Sequence, residues 1–382
     1  MRVTGCSEQS NKKKIMFVFG TRPEVSKLAP VIFEARKEPN LETIIVSTGQ
    51  HREMLDQMLS IFNITPNIDL AIMEERQSLS SVTVKIIERI EPVILTYKPD
   101  MVVVQGDTSS AFLASLVSFY NKIPVAHVEA GLRSFDIYNP FPEEANRRFI
   151  SVISSLNLAP TRKAKENLLK EGIKEESIIV TGNTIVDAVY WIAKDIPEIN
   201  TDKRLILVTA HRRENWGEPM KELALAIKEL VEEFSDIAFI IPLHKNPIVR
   251  EIFNEILSDV NRVELLEPLD YPSLIKVMKS SYLILTDSGG IQEEAPTFGK
   301  PVLVLRETTE RPEGIGKGVA KLIGMHKEAI IDNVRKLLTD KTLYTSMSKA
   351  GNPYGDGRAG ERTIRAIMHF FGMCERPDEF EA

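Results

Sequence analysis

The sequence predicts an α/β protein with two doubly wound, Rossmann-like domains and a cleft between them. Short β-rich runs alternate with longer amphipathic segments along nearly the whole chain, the rhythm of parallel sheets covered by helices. Runs such as Met101-Val102-Val103-Val104 are apolar at consecutive positions, as strands buried on both faces are. The runs are also too many for one comfortable sheet.

In the first half the expected strands are Ile15–Phe19, Thr43–Ser47, Met101–Gln105, Val125–Val128, Asn157–Ala159 and Ile178–Val180. The second half repeats the rhythm at Leu205–Thr209, Ala238–Pro242, Val263–Leu265, Leu283–Thr286 and Val302–Val304. Segments between them, such as Leu79–Tyr97 and Glu218–Glu233, carry helical periodicity. The stretch Trp191–Asp202, with Pro197, breaks the pattern and marks the expected boundary. The expected organisation is a disordered extension over 1–12, an N-terminal domain over 13–190 and a second domain over 203–359. Gly360–Gly372 reads as a helix, and 360–382 is expected to cross back to the first domain.

A chain of 382 residues with 43% hydrophobic residues can bury a core in each of two domains. Its 27% charged content argues against long disorder. A net charge of −6 gives no footprint for nucleic acid. Cys6 and Cys374 stand at opposite ends, which is neither a zinc pattern nor a disulfide framework. A reducing compartment follows, and the cytoplasm is the expected location. No apolar run approaches the roughly 18–20 residues of a membrane span. The start of the chain is polar rather than signal-like. The six histidines have no metal-ligand spacing, so no protein-held metal is expected.

Candidate chemistry lies where strands end. Gly20-Thr21-Arg22-Pro23-Glu24 follows the first strand directly. Pro23 suits the start of a helix, Arg22 can offer a forked donor to phosphate, and Lys27 lies a turn further on. A plain helix start with a solvated Arg22 remains the other reading. This turn has one glycine rather than Gly-x-Gly-x-x-Gly, so NAD bound in the usual manner is not expected. Asp287-Ser288-Gly289-Gly290 opens a second candidate, with Glu294 about a turn beyond. Adjacent glycines let backbone N–H groups approach an anion at a helix N-terminus, and Glu294 is placed for ribose hydroxyls. The alternative is a turn capped by Ser288. His211-Arg212-Arg213 ends another strand and suits an anion site or a solvated loop.

Three carboxylates complete the set. Asp107, Glu129 and Glu143 follow strands or lie in loops, within Gly106-Asp107-Thr108, His127-Val128-Glu129 and Phe141-Pro142-Glu143-Glu144. Carboxylates at strand ends can exchange protons with a substrate. Each alone has a simpler reading. Asp107 with Thr108 and Ser109 could cap the Ser109–Tyr120 helix, and Glu143 could pair with Arg147. Trp191 and Trp216 read as core or interface residues.

These motifs, taken in order, resemble the non-hydrolysing UDP-N-acetylglucosamine 2-epimerases. The resemblance runs over about residues 14–370 through Phe19–Lys27, Gln50–Gln57, Gly106–Thr108, His127–Arg133, Pro142–Arg147, Thr181–Asp187, His211–Glu214, Asp287–Pro296, Thr308–Glu313 and Asn352–Gly357. It implies a glycosyltransferase-B type fold and reversible conversion of UDP-GlcNAc to UDP-ManNAc. The implied route eliminates UDP across C1–C2 to a 2-acetamidoglucal, then adds it back. The matching positions imply Asp107, Glu129, Glu143, His211 and Lys27 as catalytic groups. Asp107 and Glu129 would exchange the C2 proton, with Glu143 in support. Arg22, Ser288, Gly289, Gly290, Glu294 and Arg311 would hold UDP, with Arg22 and His211 neutralising charge on it as it leaves. A second, activating UDP-GlcNAc is implied at Gln50, His51, Arg76, Arg212 and His244. No cofactor and a homodimer are also implied.

The sequence departs from the family pattern at Gln105, Val25 and Ser26, none of them a proposed catalytic group. A glycosyltransferase of the same fold would use the same phosphate cradle but transfer sugar to an acceptor. A nucleotide-sugar sensor would bind UDP-GlcNAc without exchange at C2.

Overall fold

The computed structural model describes residues 12–49, 52–74 and 77–382. Part of the expected extension, residues 1–11, lies outside the described residues, as do Gln50, His51 and Arg76. Among the described residues thirteen strands form two parallel sheets. The first sheet contains β1 (Lys13–Phe19), β2 (Leu41–Ser47), β3 (Ile68–Asp69), β4 (Met101–Gln105), β5 (Val125–Val128), β6 (Leu156–Ala159) and β7 (Ile178–Val180), in the order β3-β2-β1-β4-β5-β6-β7. The second contains β8 (Arg204–Thr209), β9 (Ile237–Pro242), β10 (Val263–Leu266), β11 (Leu283–Thr286), β12 (Val302–Val304) and β13 (Ala320–Leu322), in the order β10-β9-β8-β11-β12-β13. Each sheet is doubly wound. The strand order reverses between β1 and β4 in one and between β8 and β11 in the other, and ligands of such folds gather at those points.

The chain forms two compact units. One runs through Ala188 and takes back Gly357–Glu381; the other is Val189–Asp356. The first unit carries α1 (Arg22–Lys37), α2 (Arg52–Ile61), α3 (Leu79–Tyr97), α4 (Ser109–Tyr120), α5 (Glu143–Ile153), α6 (Arg162–Lys170) and the start of α7 (Thr184–Ala193). The second carries α8 (Glu218–Glu233), α9 (Pro247–Leu257), α10 (Tyr271–Ser280), α11 (Gly289–Glu294), α12 (Pro312–Lys317), α13 (Lys327–Thr339) and α14 (Lys341–Ser348). Helix α15 (Ala359–Phe370) belongs to the first unit.

In the first unit, Met16 and Val18 of β1 join Val102 and Val104 of β4 against Ile86, Ile90 and Ile94 of α3. Ile15, Phe17 and Phe19 on the other face of β1 are equally buried. Full burial of each such side chain contributes about 1.5–3 kcal/mol. The returning helix α15 is pinned by Asp187, whose carboxylate accepts the amides of Ala359 at 3.2 Å and Gly360 at 2.8 Å. A side chain at Gly360 would put its Cβ 3.0 Å from the Pro30 carbonyl, so glycine there lets α15 lie close on α1. Gly131 has φ +92°, and a Cβ there would stand 2.3 Å from the Ala164 carbonyl. That close approach seats the loop after β5 against α6.

The second unit packs Ile206 and Val208 of β8 with Phe239 and Ile241 of β9 against Leu223, Ile227 and Leu230 of α8. The strand pattern read from sequence omits β3 and β13. Both are edge strands of two or three residues with mixed polarity, Ile68-Asp69 and Ala320-Lys321-Leu322. An edge strand is exposed on one side and need not be apolar throughout.

Candidate active site

In the first unit, the site residues stand at the C-terminal ends of β1, β4 and β5, which are neighbours in the sheet. Glu24 organises the first turn. Its Oε2 accepts the amides of Gly20 at 3.0 Å and Thr21 at 2.8 Å, and the Thr21 hydroxyl at 2.8 Å. This turn sends Arg22 to the surface and starts α1, which carries Lys27.

Lys27 forms an ion pair with Glu129, and both side chains are largely buried. Glu129 follows β5 with φ +66°, a left-handed conformation that costs a non-glycine residue about 1–3 kcal/mol. Asp107 follows β4 and forms an ion pair with Arg147 of α5, whose Nε also donates to it at 3.1 Å. Asn146 donates to the Asp107 carbonyl at 2.9 Å. Within Asp107-Thr108-Ser109 it is Thr108 that caps α4, its hydroxyl accepting the Ala111 amide at 3.0 Å, while the Asp107 carboxylate goes to Arg147. Arg147 pairs with Asp107 and with Glu144 at 3.3 Å, which also sets aside its pairing with Glu143.

The two adjacent glutamates of α5 are sharply different. Glu144 is fully buried and accepts the amides of Ser134 at 3.0 Å and Phe135 at 3.3 Å. It thereby ties the loop after β5 to α5. Glu143 is half-buried, and its carboxylate has no hydrogen-bond or ion-pair partner among the described residues. Glu143 is thus the one left available to a ligand.

His127 lies beneath these groups, fully buried in β5. Its Nε2–H donates to the Gly106 carbonyl at 2.7 Å, and Nδ1 has no partner among the described residues. Burial pushes its pKa down to about 3, against the Gly106 hydrogen bond and with help from Arg133 and Arg147. A neutral ring suits a site already holding two cations.

In the second unit, the candidates follow β8, β9, β11 and β12. Asp287 is fully buried after β11. It accepts the amides of His211 at 3.0 Å and Arg212 at 2.9 Å, and the Asn215 side chain at 2.9 Å. It holds the turn after β8 as Glu24 holds the turn after β1. His211 has its pKa lowered by burial, against the field of Asp287 and with His244 and Arg212 adding to the fall. The rings of His211 and His244 stack with centroids 6.4 Å apart, and Trp216 lies 6.1 Å from His244. The Asn246 amide donates to His244 Nδ1 at 3.1 Å.

Ser288 occupies the N-cap position of α11, but its side chain makes no capping hydrogen bond. The backbone there is shaped by a close neighbour. A Cβ on Gly289 would lie 3.3 Å from Cζ of Arg311, so glycine lets that guanidinium approach the start of the helix. Arg311 is oriented by Glu293 at 2.9 Å, and Tyr354 donates to its carbonyl at 3.2 Å. Asn352 donates to the Glu293 carbonyl at 3.1 Å, which makes Asn352 a support for α11, while Tyr354 holds the start of α12. Glu294 is buried. Arg212 is held by Glu214 at 3.3 Å and Glu310 at 3.4 Å.

Within the first unit Lys27, Asp107 and Glu129 stand at the C-terminal ends of three neighbouring strands, with Arg22 in the turn after β1 and Glu143 at the start of α5. Within the second, Ser288, Gly289 and Arg311 form one group and His211, Arg212 and His244 another. Sequence reasoning missed Glu24, Glu144, Arg147 and Asp287 as the groups that hold these in place. Glu24, three residues after Thr21, had a legible signal in the spacing of a capping box. The others had none. Among the described residues no group of three or more His, Cys, Asp or Glu could hold a metal ion, and no helix is long and apolar enough to cross a membrane.

Two parallel-sheet units with acids at the strand ends of one and an Arg-backed glycine turn in the other define an α/β protein of the glycosyltransferase-B type. A sequence profile of the UDP-N-acetylglucosamine 2-epimerases matches residues 34–368. The UDP-N-acetylglucosamine 2-epimerase of Bacillus subtilis is 48% identical over 376 residues, covering 97% of this chain and 99% of that one. The crystal structure of the UDP-GlcNAc 2-epimerase from Neisseria meningitidis bound to UDP-GlcNAc superposes with a TM-score of 0.82 at 46% identity, covering 93% and 100% of the two chains. That of the Methanocaldococcus jannaschii enzyme in complex with UDP-GlcNAc and UDP gives 0.74 at 37% identity, covering 93% and 99%. The chain belongs to the UDP-N-acetylglucosamine 2-epimerase family, and it is an epimerase.

The buried neutral His127 ties stability to pH. A base whose folded pKa is depressed contributes its full stability above its unfolded pKa of 6.5 and loses it as pH falls toward 3. Between pH 7 and pH 4 the protein should lose about 3 kcal/mol more stability than its His127→Gln variant. Urea unfolding followed by circular dichroism at the two pH values measures this. Equal losses in the two proteins would show that His127 takes up a proton in the folded state.

Proposed function

We propose that this chain interconverts UDP-GlcNAc and UDP-ManNAc without hydrolysing them. The observation that carries the proposal is the pair of ion-paired acids, Asp107 with Arg147 and Glu129 with Lys27, at the ends of adjacent strands. Inverting C2 requires a proton to leave one face and return to the other, so two separately held proton carriers suit it.

The C2 proton of the sugar is not acidic, since no carbonyl adjoins it. In the proposed route a carboxylate takes that proton while the C1–O bond to UDP breaks, and the C–H electrons become the C1=C2 bond of a 2-acetamidoglucal. In the return step UDP adds to C1 and the other acid delivers a proton to the opposite face of C2. No atom or electron is gained or lost, so the scheme calls for no redox cofactor. Asp107 and Glu129 are the proposed proton carriers, and half-buried Glu143 supports them. Lys27 and Arg147 hold those acids in register and limit the repulsion between them.

UDP is assigned to Ser288, Gly289, Gly290, Glu294 and Arg311, with Arg22 and His211 as further donors. Donors fixed in advance at the place where charge develops stabilise the leaving diphosphate. A second UDP-GlcNAc is proposed to activate the enzyme through Gln50, His51, Arg76, Arg212 and His244. Stacking of His244 on His211 supports this, since it joins an effector residue to a catalytic one. The cytoplasm is the proposed location, with nucleotide sugars as partners rather than nucleic acid or membrane.

A homodimer is proposed through the helical layer of α3, α4 and α5, where Phe119, Tyr120, Phe149 and Val152 are exposed. Light scattering should give twice the chain mass, and a monomer at micromolar concentration would refute it.

Incubation with UDP-GlcNAc in D2O, followed by proton and phosphorus NMR, should give UDP-ManNAc carrying deuterium at C2 with no added cofactor. Free ManNAc with UDP would instead indicate a hydrolysing enzyme, and no exchange would favour a transferase or sensor. Asp107→Asn should lower kcat by about 10²-fold or more while UDP affinity stays near that of the parent. Normal turnover would remove Asp107 from the proton path. His244→Ala should abolish the sigmoidal response to UDP-GlcNAc, and an unchanged curve would sink the effector assignment.

A further inference from the structure

Glu24 touches none of the groups assigned to substrate, yet its carboxylate accepts four hydrogen bonds. It is 1% exposed. Oε2 accepts three hydrogen bonds from Gly20 and Thr21. Oε1 accepts the hydroxyl of Thr108 at 2.7 Å. Thr108 is already the N-cap of α4 and accepts the Ala111 amide, so its own proton is committed to Glu24. A single side chain thus joins two turns separated by 84 positions in sequence.

What the two turns carry gives this link its significance. One carries Arg22 and begins the helix of Lys27. The other carries Asp107, directly bonded to Thr108 along the chain. Lys27 holds Glu129, and Arg147 holds Asp107. We propose that Glu24 is a positioning residue for the C2 proton transfer, setting the separation between the Lys27–Glu129 and Asp107–Arg147 pairs. This role rests on the epimerase reading above.

The chemistry of the contact set favours glutamate. Two of the four donors are backbone amides, which can only donate, so the side chain must accept. Aspartate is one methylene shorter and cannot span both turns from the same point on α1. Burial pushes the Glu24 pKa up to about 7, against the pull of the hydrogen bonds from Gly20, Thr108 and Thr21. The protein holds this group where its charge is disfavoured, and the four donors are what offset that cost.

The test uses Glu24→Gln, Thr108→Val, the double variant and Thr108→Ser, each checked for folding by circular dichroism. Misplacing proton carriers by a fraction of an ångström to an ångström costs up to about 10²-fold in rate. Glu24→Gln and Thr108→Val should therefore each lower kcat and C2 deuterium exchange by about 10–100-fold. The loss in kcat should exceed any change in UDP affinity, because of the groups assigned to UDP only Arg22 stands on a turn that Glu24 holds. The double variant should be no worse than the poorer single variant, since both cut one link. Thr108→Ser, which keeps the hydroxyl, should restore the rate.

Parental kcat in folded Glu24→Gln, or losses that multiply in the double variant, would overturn the proposal. Should Glu24→Gln fail to fold, Thr108→Val against Thr108→Ser decides: a lowered kcat rescued by serine supports the link, and equal rates overturn it. Failure of the parent protein to exchange deuterium at C2 would overturn the epimerase reading and the positioning role together. Parental exchange with unaffected variants would overturn the positioning role alone.

Discussion

Buried carboxylates that accept backbone amides are the constraint on which the rest of this structure depends. The turns after β1 and β8 both sit where strand order reverses, and each would leave several N–H groups without partners. Glu24 takes up those of Gly20 and Thr21. Asp287 takes up those of His211 and Arg212. Each acid also reaches a neighbouring strand end, Glu24 to Thr108 after β4 and Asp287 from β11 back to the turn after β8. Unpaired buried amides are costly, and a buried carboxylate is costly unless hydrogen-bonded. Joined, the two costs offset each other and lock the turns that carry the functional groups.

Ion pairing supplies the next level of order. Two acids at the ends of adjacent strands would repel each other if unaccompanied. Here each has its own cation, Lys27 for Glu129 and Arg147 for Asp107, and each cation comes from a different helix. Glu129 also adopts a left-handed backbone at φ +66°. That strain is sustained because the Lys27 pair and the Gly131 approach to α6 over-determine the loop around it. Strain held by surrounding contacts is a common property of functional loops. Glu144, buried one residue after Glu143, does the anchoring, so Glu143 remains available to a ligand.

The second unit solves a different problem. The missing side chain at Gly289 leaves room for the Arg311 guanidinium beside the start of α11, and Glu293 fixes the direction of that arginine. Burial and the neighbouring Arg212 and His244 outweigh Asp287 and lower the pKa of His211.

Alternating apolar and amphipathic segments were enough to read the two doubly wound sheets from the chain, because burial on both faces leaves runs such as Met101–Gln105 almost without polar residues. The short edge strands β3 and β13 escaped, since a strand with one open side carries no such signature. Asp107, Glu129 and Ser288-Gly289-Gly290 stood out as candidates because they follow strands closely, and Glu143 because it opens a helix beside a second acid. Their partners were not. Arg147 lies 40 positions from Asp107, Lys27 lies 102 from Glu129, and Thr108 lies 84 from Glu24. Local sequence by itself determined which residue types stand at the strand ends, because periodicity and turn chemistry act over a few residues. Only the tertiary structure decided which acid is paired, which is buried as a clamp and which histidine is neutral, because those properties come from burial and charge supplied by distant segments.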